Sequence, residues 1–220
     1  MLVLLDQVLD ADGVARVREG LAAAPLVDGR RTAGARAAAV KANRQADGRD
    51  GRVQALERFV HQGLGAHLLF QRAVRPSRIS RLLFSVYGVG DTYGLHTDDA
   101  VMGDPPLRTD VAFTLFLAAP ETYDGGALTV TGPSGVQEVK LRAGDAVVYP
   151  AGTIHGVGAV TAGERWACVG WAQSLIRDPW KRELLFELDG ARAALADGPR
   201  EALLQIDKVQ SGLVRLWAEL

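Results

Sequence analysis

Between Arg78 and about Leu175 the chain is a succession of short extended runs, each closed by a turn, and this limits the fold more than any other feature. The runs are 79–87, 93–97, 109–118, 127–131, 136–141, 145–149, 154–160 and 164–174, rich in Val, Leu, Phe, Trp and Tyr. Between them stand Asp124-Gly125-Gly126, Pro133-Ser134-Gly135, Arg142-Ala143-Gly144 and Pro150-Ala151-Gly152. Glycine supplies the positive φ that tight reversals need. Six to eight strands at this spacing point to a β-sandwich or jelly roll rather than a parallel sheet.

Helical patterns flank this stretch. Residues 2–9 read as a strand, and residues 11–24 place Val14, Val17 and Leu21 at helical spacing before Pro25 ends the run. Residues 28–50 show no period and read as a long loop, expected to border a substrate opening. Asp50 then suits the N-cap of a helix over 51–70 with Val53, Leu56, Phe59, Val60 and Leu64 on its apolar side. After Asp178-Pro179, helices are expected over 180–188 and about 199–219. The fold class is α+β with a mainly β core. Residues 1–77 form an N-terminal strand and helices, 78–178 the core, and 179–220 a helical extension. That extension packs on the core or builds a homodimer; its apolar faces leave both open.

Composition excludes several classes. Apolar residues make up 48% and charged residues 23% of the 220, which suits a packed core and excludes wholesale disorder. A net charge of −1 lacks the broad basic footprint of a nucleic-acid binder. Cys168, the single cysteine, cannot form an internal disulfide, which is compatible with a reducing compartment. Asp6 interrupts the apolar opening MLVLLDQVLD, so no secretion signal is expected there, and no run approaches a membrane span. The expected setting is the cytoplasm, away from membrane.

Chemistry concentrates around two of the four histidines. His61 and His67 are six positions apart on a predicted helix, about 240° around it, and cannot share a metal; a structural or solvent-facing role is expected. His96 and Asp98, in YGLHTDDA, are two apart, and in extended chain they project from one face. Asp99 then faces the other way. His155, in YPAGTIHGV, opens a later strand that antiparallel pairing could set opposite them. Two imidazoles and one carboxylate on one side of a metal form the facial triad of non-haem Fe(II) oxygenases. The plainer reading makes His96–Asp98 a surface pair and His155 a loop residue. Arg165, ten residues on, stands in an otherwise apolar strand. Buried there, it needs an anion: a ligand carboxylate, or a salt bridge to Glu164 or Asp145. By period two, Trp171 shares its strand face with Arg165, Ala167 and Val169, and Cys168 lies on the other face as inert packing.

The runs LFSVYGVGDTYGLHTDD, RTDVAFTLFLAAPETYDGGAL and VKLRAGDAVVYPAGTIHGVGAVTAGERWACVGWAQSLIRD resemble the Fe(II)/2-oxoglutarate dioxygenases related to prolyl 4-hydroxylase, in particular the PKHD-type hydroxylases. LVDGR, VKANRQAD and KRELLFELD extend the resemblance over nearly the whole chain. It implies a double-stranded β-helix, or jelly roll, with flanking helices. It also implies Fe(II) on His96, Asp98 and His155, and Arg165 on the distal carboxylate of 2-oxoglutarate. Tyr87 matches a tyrosine that contacts the cosubstrate in related prolyl hydroxylases. Asp99 departs from the small residue common after the metal motif. The implied reaction consumes O2, releases succinate and CO2, and hydroxylates a C–H bond, with L-ascorbate as an accessory reductant.

The substrate is open between peptidyl prolyl or lysyl side chains and a small metabolite. GDAVVYPAGTIH also resembles the second cupin motif, which keeps a cupin-type metal enzyme or a metabolite-binding sensor as rivals. Against the cupin, HTDD is not followed by a glutamate before Glu121.

Overall fold

The computed structural model describes residues 1–132 and 135–219; Pro133 and Ser134 of the expected turn lie outside these. Two antiparallel sheets face one another. The larger runs in the order Val3–Leu5, Ala146–Pro150, Val111–Phe116, Arg165–Ser174, Leu83–Tyr87, Arg44–Ala46 and Leu26–Asp28, with Pro76–Ile79 added beside Arg165–Ser174. The smaller runs Gly135–Val139, Leu128–Gly132, His155–Val157, Thr92–His96 and Lys41–Ala42. This is the double-stranded β-helix, flanked by helices from both ends of the chain.

Strand parity divides the apolar residues between two cores. In Val111–Phe116 all six residues are buried, because the strand has a layer on each face. Phe113 and Leu115 join the outer core under the helices Ala11–Ala22, Gly51–Ala66 and Leu68–Val74, with Val17, Val60 and Phe70. Ala112 and Phe116 turn inward to Leu128, Val147 and Val157. Each Val, Leu or Phe side chain among them contributes about 1.5–3 kcal/mol when fully buried. Gly144, at φ +96°, turns the chain where a Cβ would strike the Leu9 carbonyl; Gly152 needs no positive φ.

Asp50 caps its helix as expected, its carboxylate accepting from Arg52 N at 2.8 Å. The predicted continuous helix over 51–70 instead breaks at His67, which caps the end of one helix and the start of the next. Its ring accepts from Phe70 N at 3.3 Å through Nδ1 and donates to the Asp6 carbonyl at 2.9 Å through Nε2. His67 is therefore structural, and His61 faces Glu57 at 3.8 Å.

The segment expected as a long loop is better described as a strap. It holds a 3-10 turn at Gly29–Thr32, a short helix Ala35–Ala38 and two tiny strands. Lys41–Ala42 pairs with Thr92–Tyr93 of the small sheet, and Arg44–Gln45 with Ser85–Val86 of the large one. The strap thus ties both sheets at one edge. Strands of two or three residues are too short to show a period, which is why they read as irregular.

At the far end, Pro179–Ala194 and Arg200–Trp217 form a helical pair held by Arg192–Asp207 and by Gln210 donating to Asp189. Leu185 and the 2.6 Å Arg75–Asp189 ion pair fasten the first helix to the body. No helix among the described residues is long and apolar enough to cross a membrane.

Candidate active site

The cavity between the sheets opens toward the strap. Thr92–His96 and His155–Val157 pair antiparallel with His96 directly opposite His155. Their imidazole centres are 4.3 Å apart. Asp98 follows two residues after His96 and presents Oδ1 3.9 Å from His96 Nε2 and 3.7 Å from His155 Nε2. One donor atom from each residue lies within 4.8 Å of the others, so a single metal ion can be reached by all three.

Backbone carbonyls set the tautomers. A carbonyl can only accept, so His96 Nδ1–H donates to Gly94 O at 2.8 Å and His155 Nδ1–H donates to Thr153 O at 2.9 Å. Both Nε2 lone pairs therefore face Asp98, as metal ligation demands. Burial holds His96 neutral, its pKa lowered to about 4. Burial also raises the Asp98 carboxyl, against the opposing pull of His155. Asp98 Oδ2 and the indole Nε1 have no hydrogen-bond partner among the described residues. A buried carboxylate facing two lone pairs is costly without a cation between them. The donor set therefore fits a divalent metal.

Arg165 points into the same cavity from the large sheet. It is 1% exposed, and its Nε and Nη2 have no partner among the described residues. Neither alternative partner takes it: Glu164 is engaged by Arg44 and Trp166, and Asp145 by Gln7 N. Tyr87 stands opposite it in register, with ring centre 5.2 Å from the guanidinium carbon, and Phe116 lies at 5.4 Å. Burial pushes the Tyr87 phenol up to about 12, keeping it a neutral hydrogen-bond group. A carboxylate would satisfy the free guanidinium edge.

Trp171 lines this cavity with Arg165 and Val169. Cys168 is sealed in the outer core, where burial pushes its thiol far up. Asp99 is exposed at the rim beside Gly34 of the strap, apart from the three donors. Several cavity residues carry no motif. Tyr93 stacks on His96 at 3.7 Å, Tyr149 sits 5.1 Å from His155, and the strap contributes Thr32, Lys41 and Gln45. Parity along 145–149 could have found Tyr149; no local signal marks the strap residues.

A jelly roll with two imidazoles, one carboxylate and a free guanidinium in a shared cavity has the architecture of a metal-dependent oxygenase. The 2OG-Fe(II) oxygenase superfamily matches residues 82–173. The chain is 46% identical to a PKHD-type hydroxylase of Maricaulis maris over 221 residues, covering 100% of both chains. It is 43% identical to one of Escherichia coli over 225 residues, again covering 100% of both. A Pseudomonas putida prolyl-4-hydroxylase superposes with TM-score 0.51 at 21% identity, over 79% of this chain and 92% of that one. A prolyl hydroxylase from Trichoplax adhaerens, solved with a hypoxia inducible factor peptide, gives TM-score 0.60 at 12% identity, over 78% and 82%. The chain belongs to the PKHD-type hydroxylases of the 2OG-Fe(II) oxygenase superfamily. That membership sets the cupin reading aside.

Proposed function

We propose that this chain is an Fe(II)- and 2-oxoglutarate-dependent hydroxylase with His96, Asp98 and His155 as its metal ligands. What carries the reading is one cavity in which three metal donors converge and a buried guanidinium has no anion among the described residues. Bound there, Fe(II) with 2-oxoglutarate and O2 supplies the oxidising power, releasing succinate and CO2 as a substrate C–H bond becomes C–OH.

The chain's own residues hold and orient. The Gly94 and Thr153 carbonyls fix both imidazoles, so no ligand has to reorient when metal binds. Asp98 supplies the negative charge and spans the two histidines. Arg165 binds the distal carboxylate of 2-oxoglutarate, with Tyr87 as a neutral neighbour completing that end. Tyr93, Tyr149 and Trp171 wall the centre and exclude water. The substrate is a peptidyl prolyl or lysyl side chain or a small metabolite, with L-ascorbate as accessory reductant.

Anaerobic Fe(II) plus 2-oxoglutarate should give a visible metal-to-ligand charge-transfer band. Asp98→Ala should abolish it. Absence of the band in the wild-type protein would sink the proposal.

A further inference from the structure

Lys41 is the charged cavity residue that the hydroxylase reading leaves unused. It is 7% exposed, belongs to the strap strand paired with Tyr93, and lines the cavity. Its ammonium makes one long hydrogen bond, 3.4 Å to Thr32 Oγ1, and lies 4.8 Å from the Tyr93 ring centre. It has no carboxylate within 4.0 Å among the described residues. An ammonium carries three N–H donors, so two are left for a ligand.

The strap fixes the acceptor beside it. The Thr32 hydroxyl donates to Gln45 Oε1 at 2.7 Å, and Gln45 Nε2 donates to Ser85 Oγ at 3.1 Å. This relay turns a Thr32 lone pair toward Lys41 and anchors it to the large sheet. Burial pulls the lysine down to about 8, with Asp98 and Asp28 the charges that oppose this. Asp28 is already clamped by Arg30.

The inference rests on the function proposed above. With a dication on the triad, Asp98 is spent on the metal. The two carboxylates of 2-oxoglutarate then offset what remains of the metal charge and Arg165. Lys41 is left as an uncompensated positive charge in a space largely closed to water, where such a charge is costly. Asp99 lies at the exposed rim, screened by solvent.

We propose that Lys41, positioned by Thr32, forms an anion subsite that selects substrates carrying a carboxylate close to the C–H bond to be oxidised. The ring contacts of 4.8 and 3.7 Å in series put the ammonium no more than about 8.5 Å from the His96 ring centre. Lys41 and the three donors line this one cavity, so a small substrate can span from the ammonium to the metal centre.

The test uses the full chain loaded with Zn(II), a redox-inert stand-in, and 2-oxoglutarate. Calorimetry compares N-acetylglycine with N-acetylglycinamide, which differ in the carboxylate alone. The wild-type protein should bind the acid about tenfold or more tightly than the amide, the strength of a charge-assisted hydrogen bond. Lys41→Met should bring that ratio near one while leaving 2-oxoglutarate and metal affinity unchanged, and Lys41→Arg should restore much of it. A merely structural role would weaken both probes together. If Lys41→Met does not fold, Thr32→Val should still lower the ratio severalfold.

A wild-type ratio near one, no binding of either probe, or a ratio preserved in Lys41→Met would overturn the subsite. So would loss of 2-oxoglutarate binding in that variant, which would make Lys41 a cosubstrate residue. Failure of the wild-type protein to bind 2-oxoglutarate, or to form the visible band, would strike the hydroxylase reading instead and would be seen first.

Discussion

Replacing Arg165 by methionine should move stability and cosubstrate affinity in opposite directions. The guanidinium is 1% exposed, with Nε and Nη2 unpartnered among the described residues, and each buried unpaired group costs about 1–3 kcal/mol. Methionine keeps most of the stem's packing and removes that cost. The variant without ligand should therefore be more stable by about 1 kcal/mol or more, a rise in Tm of roughly 2–4 °C for a chain of this size. Two charge-assisted hydrogen bonds to a carboxylate are worth about 3 kcal/mol together, so 2-oxoglutarate should bind about 100-fold more weakly. Thermal melts with Zn(II) and 2-oxoglutarate at about 100 times the wild-type Kd read both effects. Ligand then stabilises the wild-type protein by about 2.7 kcal/mol, roughly 5–11 °C. In the variant the same concentration only matches Kd, giving about 0.4 kcal/mol and a shift near 1 °C. Equal ligand shifts in both proteins would refute the carboxylate contact. A ligand-free variant that melts several degrees lower would refute the claim that the guanidinium is unsatisfied.

Three further outcomes follow from neighbouring features. His96 titrates near 4 when folded against 6.5 in the free side chain, because burial disfavours its charge. Between those values the unfolded chain binds the extra proton, so His96 should lower the stability of the metal-free protein as pH drops from 6.5 toward 4, by up to about 3 kcal/mol, while the raised Asp98 carboxyl works in the opposite sense; urea midpoints of the wild-type protein against His96→Gln across that window isolate the histidine's share and check its sign, and saturating Zn(II), which takes only unprotonated ligands, should steepen the wild-type slope. Glu57 is buried, accepts from Arg81 Nε at 2.7 Å and Leu82 N at 2.9 Å, and Glu57→Gln should cost about 2 kcal/mol in urea unfolding with 2-oxoglutarate affinity unchanged. Gly126 sits at φ +62°, where a Cβ would stand 2.9 Å from Val160 Cγ2 and 3.2 Å from Arg165 Cδ; Gly126→Ala should cost about 1–2 kcal/mol and weaken 2-oxoglutarate binding by displacing the arginine stem.

Period two made much of the site legible. It set His96 and Asp98 on one face and put Arg165, Val169 and Trp171 on another, and the structure gathers all of them around one cavity. The turn glycines marked the strands of the jelly roll, with merging where the pauses are brief. The run 79–87 is two strands, Pro76–Ile79 and Leu83–Tyr87, and 154–160 ends at Val157, with a separate strand at Val160–Gly163. Contacts that break the period or bridge the sheets were not legible. Tyr93 stacks on His96 three residues along the same strand, against period two, where the pairing with His155–Val157 is irregular, and Lys41 reaches the cavity only because the strap bridges both sheets. The break at His67 was hidden because the apolar spacing runs through it, while its cause is a distant carbonyl at Asp6.

Cys168 is the only thiol in the chain and lies at the centre of the large sheet, on the face turned to the helices. An alkylating reagent can reach that sulfur only when the central strands part. The rate of labelling is therefore a built-in clock for opening of the β framework, indifferent to what occupies the cavity except through the stability it confers.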